Sequence, residues 1–103
     1  MPRKKRRPLV MTVHGRRIPV RRRSLPRSIW GFTYLDDPEP EIQVSTRLRS
    51  SRSILATTWH EALHHAFPKL KEREVLAIEQ QTLRLLLDNP DFTESLLREA
   101  RSR

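Results

Sequence analysis

At 103 residues, 36% hydrophobic and 32% charged, the chain has room for one small domain around a compact core. It has no cysteine, which excludes a disulfide framework and a thiolate metal site, so any metal must be held by nitrogen and oxygen. Net charge is +9 but unevenly spread: the first thirty-five residues carry +11 and the remainder −2. No apolar run approaches a membrane span and the basic start has no apolar stretch of the signal-peptide kind, which predicts a cytoplasmic protein with no membrane contact.

Met1–Pro8 holds Arg3, Lys4, Lys5, Arg6 and Arg7 with two prolines, and reads as a disordered basic tail over residues 1–8 ahead of a single domain over 9–103. Such a run can bind nucleic-acid phosphates by counterion release, although it has no aromatic residue to stack on bases. Leu9–Val13 and Ile18–Val20 are strand-like, and His14-Gly15-Arg16-Arg17 supplies the turn of a hairpin, with Gly15 free to take positive φ. Pro19 argues for an edge position of the second strand. Arg21, Arg22 and Arg23 open a second basic stretch, read as a loop, with the same potential for nucleic acid.

Ile29–Leu35 is rich in aromatic and branched residues and predicts a strand. Asp36–Pro40 is a turn, and Glu41–Ser45 alternates as a half-buried strand with Ile42 and Val44 inward. Ser50, Ser51 or Ser53 is placed to cap a helix whose apolar residues Ile54, Leu55, Trp59, Ala62, Leu63 and Phe67 are assigned to the core. Pro68 ends that helix. A second runs from about Lys71 to Asp88, with Val75, Ile78, Leu83, Leu86 and Leu87 as core candidates. Asn89-Pro90 breaks it, and a short terminal helix carries Leu96 and Leu97. The fold expected is α+β: a small antiparallel or mixed sheet packed on one helix, a second helix antiparallel to the first, and a short C-terminal helix.

The chemistry is concentrated in Thr57-Thr58-Trp59-His60-Glu61-Ala62-Leu63-His64-His65. His60 and His64 are four residues apart, so on a helix they share a face and can bind one metal ion. Glu61, between them, is placed to take a proton from a water that the metal activates. His65 points about 100° away around the helix and is not assigned as a ligand. His14 is read as a turn residue.

Two histidines leave a catalytic zinc site one protein ligand short. A tight connection through Pro68 would set the opening turn of the second helix, with Glu72 and Glu74, beside the turn that carries His64. Glu79 lies two turns further on, about 10 Å along the axis. All three glutamates stay open on this reasoning.

With these residues in place, the chain resembles the small phage- and prophage-encoded zincin-type metallopeptidases, related in layout to the SprT-like and ImmA/IrrE-type families. The resemblance runs from about Leu9 to Phe92. It rests on Val-x-Gly-x-x-x-x-Val at Val13–Val20, the Gly31 strand, the Ile42–Val44 strand and the Thr-x-x-His-Glu-x-x-His-His helix. Leu-x-Glu-x-x-Val at Leu70, Glu72 and Val75 and the run Leu87–Asp91 complete it.

The resemblance implies His60, His64 and Glu72 as zinc ligands and Glu61 as general base, with a protein or peptide substrate. It also implies a cleft bordered by the last strand, here Ile42–Val44, to which an extended peptide can add. His65 stands where the family has a small residue and the link from His64 to Glu72 is short, so Glu74 and Glu79 remain as alternatives. The function expected is zinc-dependent peptide hydrolysis, in a bacterial host cytoplasm if the chain is phage-encoded. The alternative is a non-enzymatic, basic, nucleic-acid-associated phage protein with a structural or vestigial metal site.

Overall fold

The structure is a computed structural model that describes residues 9–35 and 37–101. Met1–Pro8, with the disorder expected there and the cations from Arg3 to Arg7, lies outside the described residues.

The chain opens with a hairpin of β1 (Leu9–Val13) and β2 (Arg16–Arg23). Its turn has only two residues, His14 and Gly15, with φ of +52° and +74°. Left-handed backbone at both central positions matches the right-handed twist of the flanking strands, and Gly15 meets that demand without a Cβ. His14 is held by its ring, whose Nε2–H donates to the Ala66 carbonyl at 2.9 Å.

β3 (Gly31–Thr33) and β4 (Ile42–Ser45) complete a four-stranded sheet in the order β1-β2-β4-β3. β1–β2 and β3–β4 are antiparallel and β2–β4 is parallel, so the sheet is mixed. Three expectations are corrected here. Arg21–Arg23 is strand and not loop, because Val20–Arg23 runs in register with Ile42–Ser45. β2 is an inner strand and not an edge. Pro19 is tolerated because pairing with β4 starts at Val20, so at Pro19 the strand has only β1 beside it. The expected Ile29–Leu35 strand shrinks to three residues, Gly31–Thr33.

α1 (Ser51–Ala66) lies across one face of the sheet. Ser50 caps it, its hydroxyl oxygen accepting from Ser53 N–H at 3.1 Å. The core between sheet and helix is Ile18, Val20, Ile42, Val44 and Ala62, with Met11, Val13, Leu48 and Ile54 at its margin. The sheet residues alternate as period-two patterning requires. α2 (Glu72–Asp88) returns antiparallel to α1, as successive contacts His64–Glu72, His60–Glu79 and Trp59–Thr82 show. α3 (Pro90–Arg101) follows at the Asn89-Pro90 break.

The assigned core was too wide. Leu55 and Phe67 of the α1 stripe are exposed, since the sheet and α2 cover two sides of the helix and neither reaches them. In α2, Val75 and Leu83 are buried, Ile78 is half-buried, and Leu86 and Leu87 are exposed. α3 has no buried residue.

Candidate metal centre

Three elements converge on the cleft. α1 presents His60 and Glu61, the opening turn of α2 presents Glu72, and the segment Ser28–Gly31 forms the opposite wall; His64 stands one turn along α1 beside Glu72. The cleft has a volume of about 350 Å³ and is lined also by Ala56, Thr57 and Glu79.

The helical spacing of His60 and His64 brings their Nε2 atoms within 3.2 Å. Glu72 reaches across, with Oε1 2.5 Å from His60 Nε2 and Oε2 2.8 Å from His64 Nε2. Ligand atoms of the three residues lie within 4.8 Å of one another, a group that can hold a metal ion. Tetrahedral zinc with bonds of about 2.0–2.2 Å sets neighbouring ligand atoms about 3.3 Å apart. The histidine pair already has that separation. The carboxylate must draw back by roughly 0.5–0.8 Å, and it has the freedom to do so because the Glu72 side chain is 71% exposed.

The three glutamates thus take different places. Glu74 turns away and closes the start of α2, its Oε1 accepting from Lys71 N–H at 2.9 Å. Glu79 accepts from the other nitrogen of His60, Nδ1, at 2.7 Å. A proton kept on Nδ1 leaves the Nε2 lone pair for a metal and fixes the ring orientation. The sequence offers Glu79 as an alternative ligand, and the signal for this contact is legible in it as well. Seven residues after Glu72 is nearly two helical turns, so both carboxylates share the face of α2 turned to α1.

His60 has its pKa raised. Burial alone would lower it, but the hydrogen bond to Glu79 and the charge and hydrogen bond of Glu72 outweigh that, with Glu61 adding a little. Glu61 is 7% exposed, and its Oε2 has no hydrogen-bond partner among the described residues. Burial pushes its carboxyl up to about 7; His60 opposes the shift, while Glu72 and Glu79 reinforce it. A buried polar atom without a protein partner is costly, which sets Glu61 apart among the residues of the cleft.

Two features escaped the sequence reading. A Cβ on Gly31 would stand 2.5 Å from Thr57 Cγ2 and 3.3 Å from Glu61 Cγ, so only glycine lets β3 lie flush against the metal-site helix. Arg47 holds the far wall, donating to the carbonyls of Arg27 (2.7 Å), Pro26 (2.9 Å) and Ile29 (2.9 Å) with its guanidinium over the Trp30 ring. His65 Nε2–H donates to Thr33 Oγ1 at 2.5 Å while that hydroxyl donates to the Glu41 carbonyl, joining α1 to β3. Burial, with Arg16 and His64 adding to it, lowers the pKa of His65.

Of the basic candidates among the described residues, Arg21, Arg22 and Arg23 do not line the cleft. Arg21 and Arg23 pair with Glu41, and Arg22 donates to the Ser45 and Leu48 carbonyls. Among the described residues no helix is long and apolar enough to cross a membrane. The fold is α+β with a His-Glu-x-x-His helix lining a cleft. No family model matches the chain, and no curated protein or solved structure is significantly similar to it.

Proposed function

We propose that the protein is a zinc-dependent peptidase in which His60, His64 and Glu72 hold the metal and Glu61 is the general base. The observation that carries this reading is the convergence of three ligand atoms on one point beside a buried carboxylate oxygen that has no partner. When bound, zinc supplies Lewis acidity, which makes a water acidic near neutral pH and polarises a carbonyl.

The protein's own groups do the rest. Glu61 Oε2 takes the proton of the attacking water and returns it to the departing amine nitrogen, so one carboxyl serves as base and then as acid. Glu79 holds His60 in the ligating tautomer. The strand that borders the cleft is β3, not β4. β4 lies between β2 and β3 and has no free edge. Ser45 N–H donates to the Trp30 carbonyl. Alternation along an antiparallel ladder then turns the main-chain groups of Gly31 and Thr33 to the open edge, where an extended peptide can pair.

Elemental mass spectrometry of the purified protein beside His60→Ala and Glu72→Ala tests the reading. Near-stoichiometric zinc in the wild type, lost in both variants, is expected. Absence of zinc after reconstitution would overturn it and favour a binding role for the basic segments.

A further inference from the structure

Among the described residues only α1 of the helices packs substantially on the sheet, so the other face is bare of helices; Pro38–Glu41 flanks Arg17 and Arg21 there, and Arg47 covers the buried Ser45. Residues that mark the covered side are Gly31 and Thr33 of β3, Ile42 and Val44 of β4, and Ile18 and Val20 of β2. Strand alternation therefore turns Trp30, Phe32 and Tyr34 of the β3 segment to the bare face, with Gln43 of β4 and Arg17, Arg21 and Arg23 of β2. The Phe32 and Tyr34 rings meet edge to face with centroids 4.7 Å apart, as neighbours on one side of a strand should.

The register sets these residues in rows. Phe32 pairs with Gln43, and Gln43 with Arg21. In the next row Ser45 bonds to Trp30 and pairs with Arg23. An aromatic column thus runs beside an arginine column, two strand spacings or about 10 Å away. Arg47 extends the basic surface over Trp30, its guanidinium 4.4 Å from the ring centroid. Glu41 forms ion pairs with Arg21 and Arg23 at 3.5 and 3.1 Å, yet those side chains remain 57% and 49% exposed. With Glu39 and Glu41 counted against Arg17, Arg21, Arg23 and Arg47, the face keeps a surplus of two positive charges.

From this arrangement we infer that the bare sheet face binds a single strand of nucleic acid, with bases stacked on the aromatic column and phosphates on the arginine column. Flat rings half exposed beside cations suit unpaired bases, whose faces are free to stack, whereas a duplex offers only its phosphates to such a surface. Tyr34 and Trp30 are 52% and 50% exposed. Gln43 sits between the columns, where its amide can reach a base edge. His60, Glu61, His64 and Glu72 lie on the other side of the sheet; Trp30, which also lines the cleft, stands at the border of the two surfaces, and the inference does not depend on the peptidase reading.

Fluorescence anisotropy of a labelled fifteen-residue oligothymidine, titrated with the full chain over a series of salt concentrations, tests it. The wild type should bind the single strand more tightly than a duplex of equal length. Tyr34→Ala should weaken single-strand binding by about tenfold and leave duplex binding within about twofold. Arg21→Ala with Arg23→Ala should flatten the slope of log affinity against log salt by about 1.4. These two exposed arginines carry the test if Tyr34→Ala fails to fold.

The same dependence on Tyr34 should persist when Arg3, Lys4, Lys5, Arg6 and Arg7 are replaced by glutamine in the full chain. No binding by the wild type, or binding that the tail replacement abolishes and the face variants leave unchanged, overturns the inference. So does equal affinity for duplex and single strand, which would mark a surface that reads charge alone.

Discussion

His60 has carboxylates on both ring nitrogens, Glu79 at Nδ1 and Glu72 at Nε2, and the two have separate jobs in the proposed site. Glu79→Gln keeps a side chain of the same size but lets the amide offer either oxygen or nitrogen to Nδ1, so the ligating tautomer is no longer enforced. Zinc affinity should fall by about 10–100-fold while His60, His64 and Glu72 remain; a chelator competition measures it, and unchanged affinity would remove Glu79 from the site. Glu61→Gln should retain zinc and lose hydrolysis, by at least about 10²-fold, because no base then accepts the proton of the water. Full turnover in that variant would dismiss Glu61 from its role.

Glu61 also makes a prediction for metal-free protein. Its carboxyl is raised from 4.5 to about 7, so the folded state keeps a proton that the unfolded chain releases earlier. Stability should therefore fall as pH rises from about 4.5 to about 7. His60, also raised, contributes stability below its unfolded value that is lost as pH climbs through the folded one, in the same sense. His65, lowered, acts in the opposite sense, its contribution lost as pH falls. Urea titrations with chelator present should show the decline in the wild type and a flatter profile in Glu61→Gln. An identical slope in both would mean that Glu61 is not the group responsible.

At the scale of elements, the decisive contact is β3 against α1. A Gly31 Cβ would press on Thr57 Cγ2, and Glu61 Cγ is the next atom met, so the strand sets the position of the Glu61 side chain. Gly31→Ala should cost about 1–3 kcal/mol by overpacking and lower activity by displacing Glu61. Thr57→Ser removes the offending methyl, so the double variant should recover much of that loss. A Gly31→Ala protein as stable as the wild type would refute the close approach. The α1–α2 pairing is secured by Trp59 Nε1–H donating to Thr82 Oγ1 at 2.9 Å, one turn beyond the Glu79 contact. The metal-site carboxylates of α2 are thereby held level with the histidines of α1.

At the scale of the molecule, the buried hydrophobic set is small: Ile18, Val20, Ile42, Val44, Ala62, Leu63, Val75 and Leu83 among the described residues. α3 adds no buried side chain, and Leu85, Leu86, Phe92, Leu96 and Leu97 line an open groove of about 600 Å³. A ligand that ties α1 to α2 through His60, His64 and Glu72 should then matter to stability as well as to chemistry. At free zinc a hundredfold above its dissociation constant the gain is about 2.7 kcal/mol. Thermal melting with zinc should rise by several degrees over the chelated protein, and His64→Ala should abolish the difference. Equal melting temperatures with and without zinc would argue against a site that spans both helices.

Periodicity and punctuation were enough to read the α+β class, the hairpin with Gly15 at positive φ, the three helices and their breaks at Pro68 and Asn89-Pro90. Those signals are local, carried by residues a few positions apart. The same holds for His60, Glu61 and His64, whose geometry follows from one helical turn. Where the reading failed, the missing information was long-range. Arg21–Arg23 is strand because β4, some twenty residues later, pairs with it. Glu72, Glu74 and Glu79 are equivalent as isolated helix residues, and only the packing of α2 on α1 sends one to both histidines, one to a helix cap and one to His60 Nδ1. Exposure of Leu55, Phe67, Leu86 and Leu87 was likewise invisible, because an apolar stripe is buried only as far as another element extends to cover it.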